Sequence, residues 1–266
     1  MNMYIKPWRA LLAGLAATLA SLTLLAAALT SPVLLAVAPT SGHDFTRALD
    51  RALFLRLQPL RAAAAAIFTP EKGKFRILVS GQQAGKEEFE IGPNGDNWIA
   101  RGTTEIQIPQ GVAHVNGTLE LRPDGTPLHY EWSTTGAKKA GATIVFNGAT
   151  ASVELRLEGV RPFTQQFTFN SPRVAILDNN LYYQYAVLAR LYDWNQKGAQ
   201  TFSVLVPQEM TPGTITVESL GKQDVGGAKL EELRVKTEDL EIDLFLDGHR
   251  LVRLVSPSAN AEVLRE

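Results

Sequence analysis

Two hydrophobic patterns divide this chain. No charged residue occurs from Ala10 to Gly42, whereas apolar and polar positions alternate along most of the chain after Gly73. A period of two is typical of β-strands that bury one face, and an uncharged apolar run of this length is typical of an export signal or a membrane span. The pattern therefore predicts an apolar leader followed by a strand-rich domain.

The leader, residues 1–42, has two interpretations. Lys6 and Arg9 precede an apolar stretch from Leu11 to Leu29. A signal peptide has an apolar region of roughly 7–15 residues, and about 20 apolar residues span a bilayer. A cleaved signal peptide and an uncleaved N-terminal membrane anchor therefore both remain open. Either one places the rest of the chain in the periplasm or otherwise outside the cytoplasmic membrane, with membrane attachment through this segment if it is uncleaved.

Residues 43–70 form a predicted helical connector. Phe45, Leu49, Leu53 and Leu57 recur at helical spacing, and Thr69-Pro70 ends the segment. We expect this helix to pack on the sheet or to link it to an anchor, rather than to bind a partner protein.

Residues 71–266 are predicted to form one antiparallel β domain. The turns between the strands are short, and parallel strands would need longer crossovers. Asp247-Gly248 is the strongest hairpin signal. The predicted strands are 73–79, 88–91, 98–108, 112–121, 128–132, 142–147, 152–157, 163–169, 201–206, 214–220, 229–236, 240–246 and 250–255, with a last short strand at Val263.

One helix interrupts this series near 179–197. Asp178 is placed to cap its beginning, and Gly198 fits its end. So many consecutive short strands form one large sheet that curves. The predicted fold is mainly β: a large curved antiparallel sheet, a half-barrel or open barrel, covered by this helix and preceded by the N-terminal helix and the leader.

Composition excludes several classes of function. The chain has no cysteine, which excludes disulfides, thiolate zinc sites, a thiol nucleophile and a lipidated N-terminal cysteine. Its 26 basic and 27 acidic residues give a net charge of −1, so we expect no nucleic-acid partner.

No motif for catalysis, metal binding or cofactor binding is found. The four histidines are widely spaced, and no Gly-x-Ser-x-Gly or phosphate-binding glycine loop occurs. Acidic groups such as Glu87-Glu88, and Glu241 with Asp243, keep a glycan hydrolase open only because convergence in space is invisible in a sequence. We therefore predict a protein that is not an enzyme, with no catalytic residue, no metal and no cofactor.

Large aromatic side chains are the better candidates for function. On a concave sheet face they line an apolar ligand cavity, or they fill the core. Tyrosines on the helix are favoured for a cavity mouth, because a buried phenol needs a hydrogen-bond partner. The candidate ligand-binding residues are Phe75, Trp98, Tyr130, Trp132, Phe146, Tyr182 and Tyr185.

Short motifs in the domain resemble a known group of proteins. They are Gly73-Lys74-Phe75-Arg76-Ile77 with Gly81 and Gly85, Leu177-Asp178-Asn179, Phe245-Leu246-Asp247, Arg250-Leu251-Val252-Arg253-Leu254 and Leu264-Arg265-Glu266. Residues 73–266 thereby resemble uncharacterised exported bacterial proteins grouped as domains of unknown function, which are similar in architecture to the periplasmic lipoprotein carriers.

The resemblance implies a curved antiparallel sheet with a helical cover over an apolar groove, and it carries over no catalytic residue. The chain departs from the carriers because no lipid-binding arginine can be matched and because a soluble carrier has no anchor.

Two functions follow from these expectations. The first is a non-enzymatic exported envelope protein that binds an apolar ligand, a lipid or acyl chain, in the concave face of the sheet. The alternative is a membrane-tethered structural or assembly partner of an envelope protein complex, which presents a sheet edge or the 43–66 helix to another protein.

Overall fold

The computed structural model of the chain describes residues 67–136, 139–237 and 240–266. The predicted leader 1–42 and the predicted helix in the 43–70 connector lie outside these residues, apart from the short end of the connector. Within the described residues, no helix has the length and apolar character needed to cross a bilayer.

The described chain contains fifteen strands and one α-helix. Helix α1 spans Tyr183–Leu191, and a 3₁₀ turn spans Pro207–Glu209. The strands are β1 Glu71–Val79, β2 Gln82–Asn94, β3 Asn97–Ile108, β4 Gly111–Leu121, β5 Pro127–Thr135, β6 Ala140–Asn147, β7 Thr150–Leu157, β8 Phe163–Thr168, β9 Val174–Ile176, β10 Ala199–Val206, β11 Thr211–Val225, β12 Ala228–Lys236, β13 Glu241–Asp247, β14 Arg250–Ser256 and β15 Ala261–Arg265.

All fifteen strands belong to one sheet. Its order runs from β8 back to β1, then β15 back to β9, so nearly every strand pairs with its neighbours in sequence. The first and last strands, β1 and β15, pair antiparallel and join the two halves. The two edge strands, β8 and β9, are consecutive in the chain. A sheet whose edges are joined by a short segment has curved round on itself, which makes the fold open and barrel-like.

Alternation places one face of each strand in the core. A row of apolar residues crosses five strands in register, from Ile77 through Val263, Leu254 and Leu244 to Leu233. None of these five side chains is more than 2% exposed. The outer face instead carries charge pairs between neighbouring strands, such as Lys74 with Glu88 at 2.6 Å. The mainly antiparallel sheet is therefore as predicted.

The strongest hairpin prediction is also confirmed. Asp247 pairs with Arg250, so the loop has two residues, and Gly248 has a φ of +62°. Glycine adopts this left-handed conformation without the steric cost that other residues have.

The connection between β9 and β10 differs from the prediction. These two strands are parallel, and α1 provides the crossover that parallel strands need. Helix α1 is shorter than the predicted 179–197. Its N-cap residue is Tyr182, which makes no side-chain capping bond, so the prediction that Asp178 caps the helix is wrong. The carboxylate of Asp178 is instead occupied by partners on other elements.

Helix α1 lies against the inner face of the curved sheet. It contacts β3 and β14, which belong to different halves of the sheet. Seven of its nine residues are buried, which is the pattern of a helix enclosed by other elements. The concave face is therefore filled by α1.

Candidate functional site

Buried polar side chains meet where the chain enters α1. We call Glu87, Thr104, Tyr130, Asp178 and Gln184 the buried polar cluster. Glu87 and Thr104 are cross-strand neighbours on β2 and β3, Tyr130 is on β5, Asp178 follows β9, and Gln184 is in α1. The curvature of the sheet therefore brings residues from five separate segments together.

Glu87 holds the beginning of the helix. Its carboxylate accepts backbone N–H hydrogen bonds from Tyr182 at 2.6 Å and Tyr183 at 2.7 Å, and a bond from the Thr104 hydroxyl at 3.0 Å. A helix leaves its first N–H groups without intrahelical partners. Glu87 supplies acceptors from β2 and so performs the capping that no residue of the helix performs.

Asp178 ties the segment before the helix to two other elements. Its carboxylate accepts the Tyr130 hydroxyl at 2.6 Å and the backbone N–H of Gln208 at 2.8 Å. The side chain of Gln184 completes the arrangement, because it accepts the Asp178 N–H at 2.5 Å and donates to the Tyr130 oxygen at 3.0 Å.

Burial dominates the electrostatics of both acids. Desolvation raises the pKa of Glu87 to about 7, although the bonds from the two backbone N–H groups and from Thr104 oppose this. Desolvation likewise raises the pKa of Asp178 to about 7, against the bonds from Tyr130 and Gln208. Burial also raises the pKa of the Tyr130 hydroxyl. Neither acid forms an ion pair within the described ranges, so no cation offsets the cost of ionisation.

Two glycines make room for the helix. Gly102 on β3 pairs with Gly117 on β4, and together they form a notch on the inner face. A Cβ at Gly102 would lie 2.4 Å from Cδ1 of Tyr183, and one at Gly117 would lie 2.9 Å from the Tyr183 hydroxyl. Tyr183 therefore fits only because both positions lack a side chain. Its buried hydroxyl has no hydrogen-bond partner among the described residues.

A second buried group fixes the other end of α1. Arg190 bonds to Glu71 at 2.8 Å, to the Thr69 hydroxyl at 2.8 Å and to the carbonyl of His249 at 3.0 Å. Arg265 on β15 binds the other oxygen of the same carboxylate. Arg190, Glu71 and Arg265, which we call the clasp, join the helix to the sheet where β1 meets β15.

The hydrogen bonds of the buried polar cluster attach the start of α1 to the sheet. The side chains of Glu87, Thr104, Tyr130, Asp178 and Gln184 all have hydrogen-bond partners inside the fold, and no group of residues in the described part could hold a metal ion. The buried polar cluster therefore fixes the position of α1 within the sheet.

The predicted ligand-binding residues belong to the core of the domain or pack against it. Phe75, Tyr130, Trp132 and Phe146 are buried in the core, and Trp98, Tyr182 and Tyr185 are partly buried and pack against it. Phe75 stacks on Phe89 with ring centroids 4.8 Å apart, and Trp98 packs on Phe68 at 5.6 Å. Tyr130 is the one predicted residue that belongs to the buried polar cluster. A role for these residues in ligand binding stays a prediction.

Sequence reasoning missed the role of Glu87 and Asp178. A signal for Glu87 was present, because it shares the strand face of Phe89 and Ile91, which are apolar. Asp178 carries no such signal, since its partners lie 30 and 48 residues away in the chain.

The two edges of the sheet differ in exposure. All three residues of β9 are buried, whereas β8 is mostly exposed. Strand β8 pairs with β7 on one side, and in the described part of the chain no strand pairs with its other side. Phe163 in β8 is 52% exposed and Val160 just before it is 59% exposed. We call residues 160–168 the free edge.

Comparison with known proteins supports the fold alone. No family model matches the sequence, and no curated protein matches it. A solved crystal structure is similar in fold: a β-barrel-like protein of the domain of unknown function DUF1849 from Brucella abortus. The TM-score is 0.52 at 10% sequence identity, over 76% of this chain and 97% of that chain. The expected likeness to a domain-of-unknown-function fold is thus supported, and the likeness to lipoprotein carriers stays a proposal.

Proposed function

We propose that this protein is a non-enzymatic exported protein that binds an envelope protein partner through its free edge. The observation that carries the proposal is the exposed edge strand β8, whose outer side pairs with no strand of the described residues, whereas the other edge strand, β9, is buried. An extended segment of another protein binds such an edge by adding a strand, with main-chain hydrogen bonds for affinity and side-chain contacts for specificity.

The composition of β8 favours this role. The strand itself, Phe-Thr-Gln-Gln-Phe-Thr, contains no charge and no proline, and Arg161-Pro162 lie just before it. Natural sheets usually protect exposed edges with lysine, proline, bulges or a covering element. The exposed Phe163 and Val160 add apolar area beside the unpaired backbone. A strand that lacks lysine and proline along its own length is expected where pairing is part of the function.

The experiment is affinity capture from the native envelope with matched lysine variants. Thr164→Lys with Gln166→Lys adds charge to exposed positions of β8, and Val145→Lys adds it to an exposed position of β6 in the same half of the sheet. We expect one defined partner to bind the wild type and the β6 variant, and its recovery to fall at least about tenfold with the β8 variant. Equal recovery with all three proteins would exclude the free edge as the binding site.

Apolar-ligand binding is the second candidate function. It is favoured by the convergence of Phe75, Tyr130, Trp132 and Phe146 on the concave face. Because α1 fills this face, a lipid or acyl chain would have to take the place of the helix. Native mass spectrometry of the purified chain tests this candidate. A discrete added mass that is lost on denaturation would support it, and a clean mass of the chain alone would count against it.

A further inference from the structure

The segment that leads into α1 is fixed at both of its ends by carboxylates. Asp178 at its start bonds to β5 and to the residue after Pro207, and Glu87 on β2 bonds to the backbone of residues 182 and 183 at its end. Helix α1 contacts both halves of the sheet, and these bonds fix its N-terminal side, whereas Arg190 fixes its other end.

The groups that face the two acids are neutral or acidic. Glu87 is faced by Thr104 from β3 and by Tyr182 and Tyr183 from the helix lead. Asp178 is faced by Tyr130 from β5, Gln184 from α1, and Gln208 and Glu209 from the 3₁₀ turn. Throughout the described residues, the ion pairs formed by arginine and lysine involve other carboxylates.

We infer that Glu87 and Asp178 together form a pH-sensitive latch, which holds α1 in the concave face when the carboxyls are neutral and loosens it when both ionise. The latch goes beyond partner binding at the free edge, because it concerns the interior of the sheet. It also gives a route by which the apolar inner face becomes accessible without unfolding of the sheet.

The direction of the response follows from linkage. The folded-state pKa of each acid is raised above its ordinary value, from 4.5 for Glu87 and 3.8 for Asp178, to about 7. While the helix is docked, the two carboxyls therefore keep protons that they lose once the helix is released. Docking is strongest below about pH 4 and weakens as the pH rises through 7. Between pH 6 and pH 8, each acid increases the opening equilibrium constant about tenfold.

Hydrogen exchange of the full chain tests the latch. Exchange of peptides covering residues 178–192, corrected for the intrinsic pH dependence of amide exchange, is compared between pH 6 and pH 8 with peptides from β12 and β13. We expect an opening constant for the helix that rises between about tenfold and a hundredfold, with a much smaller change in the two strands. An equal response of helix and strands, or no response, would overturn the proposal.

Variants assign the response to the two acids. Glu87→Gln and Asp178→Asn each remove one titrating carboxyl. In each variant, the rise of the opening constant between pH 6 and pH 8 should therefore be about tenfold smaller than in the wild type. His249→Asn is the matched control, because His249 lies beside Trp194 near the other end of α1 and contacts neither acid. A response that survives in both acid variants but disappears in the histidine variant would contradict the latch. If the acid variants do not fold, the wild-type comparison of helix and strands still decides.

Discussion

The substitution Gly102→Ala tests most directly how α1 packs against the sheet. The added Cβ would lie 2.4 Å from Cδ1 and 2.9 Å from Cε1 of Tyr183, and 3.1 Å from Oε1 of Glu87. Ordinary carbon contacts lie near 3.5–4.0 Å, so the overlap with the ring exceeds about 1 Å. Tyr183 is fully buried, and the ring cannot turn away into solvent.

The magnitude follows from the cost of overpacking. Forcing an extra methyl group into a packed core costs about 1–3 kcal/mol. For a domain of this size, 1 kcal/mol lowers Tm by about 2–4 °C, which gives an expected loss of about 2–12 °C. The substitution also moves the ring next to Glu87, so protection of the first helical amides against hydrogen exchange should fall as well.

The assay is thermal unfolding followed by circular dichroism, with Gly92→Ala as the control. Gly92 is a buried glycine on β2, and an added Cβ there meets no atom within 4 Å. Alanine at this position should leave Tm unchanged or raise it by the equivalent of less than about 1 kcal/mol. Equal Tm values for both variants would contradict the inference that Tyr183 of α1 packs into the notch formed by Gly102 and Gly117.

Two further substitutions, each with a control substitution, test the buried polar contacts. Tyr130→Phe removes the hydroxyl that donates to Asp178 and should lower the free energy of unfolding by about 1–3 kcal/mol in urea titration, whereas Tyr185→Phe should change it by less than about 0.5 kcal/mol. Glu71→Ala leaves the largely buried guanidinium groups of Arg190 and Arg265 without their carboxylate and should lower the free energy of unfolding by about 3–5 kcal/mol. Arg101→Ala, at an exposed ion pair, should lower it by less than about 1 kcal/mol, and similar losses for the two variants would contradict the role of Glu71 in fixing α1.

The strands were predictable because alternation is a local property. In β7, for example, Val153 and Leu155 are buried while Glu154 between them is exposed, as the sequence alone indicates. Strand β9 was missed because its three residues are all buried, so it has no alternation. The helix was predicted too long because Tyr192 and Trp194 continue its aromatic stripe, although the chain is already extended at Tyr192.

The buried polar cluster was less accessible to prediction. The sequence showed Glu87 as part of an acidic pair, and only its shared face with Phe89 indicated burial. The use of Asp178 by Tyr130 depends on the curvature of the sheet, which brings β5 to the segment after β9. The exposure of β8 likewise depends on where the sheet stops pairing with itself, which the order of strands in the sequence does not show.

Photo-crosslinking in the native envelope tests the proposed function most directly. One crosslinking side chain replaces Thr164 on the free edge, and a second, in a separate protein, replaces Tyr185 on the helix inside the sheet. Partner binding at the free edge predicts a covalent adduct with one defined protein from position 164 and no adduct from position 185. A lipid-sized adduct from position 185, with none from position 164, would contradict partner binding at the free edge and favour the apolar ligand.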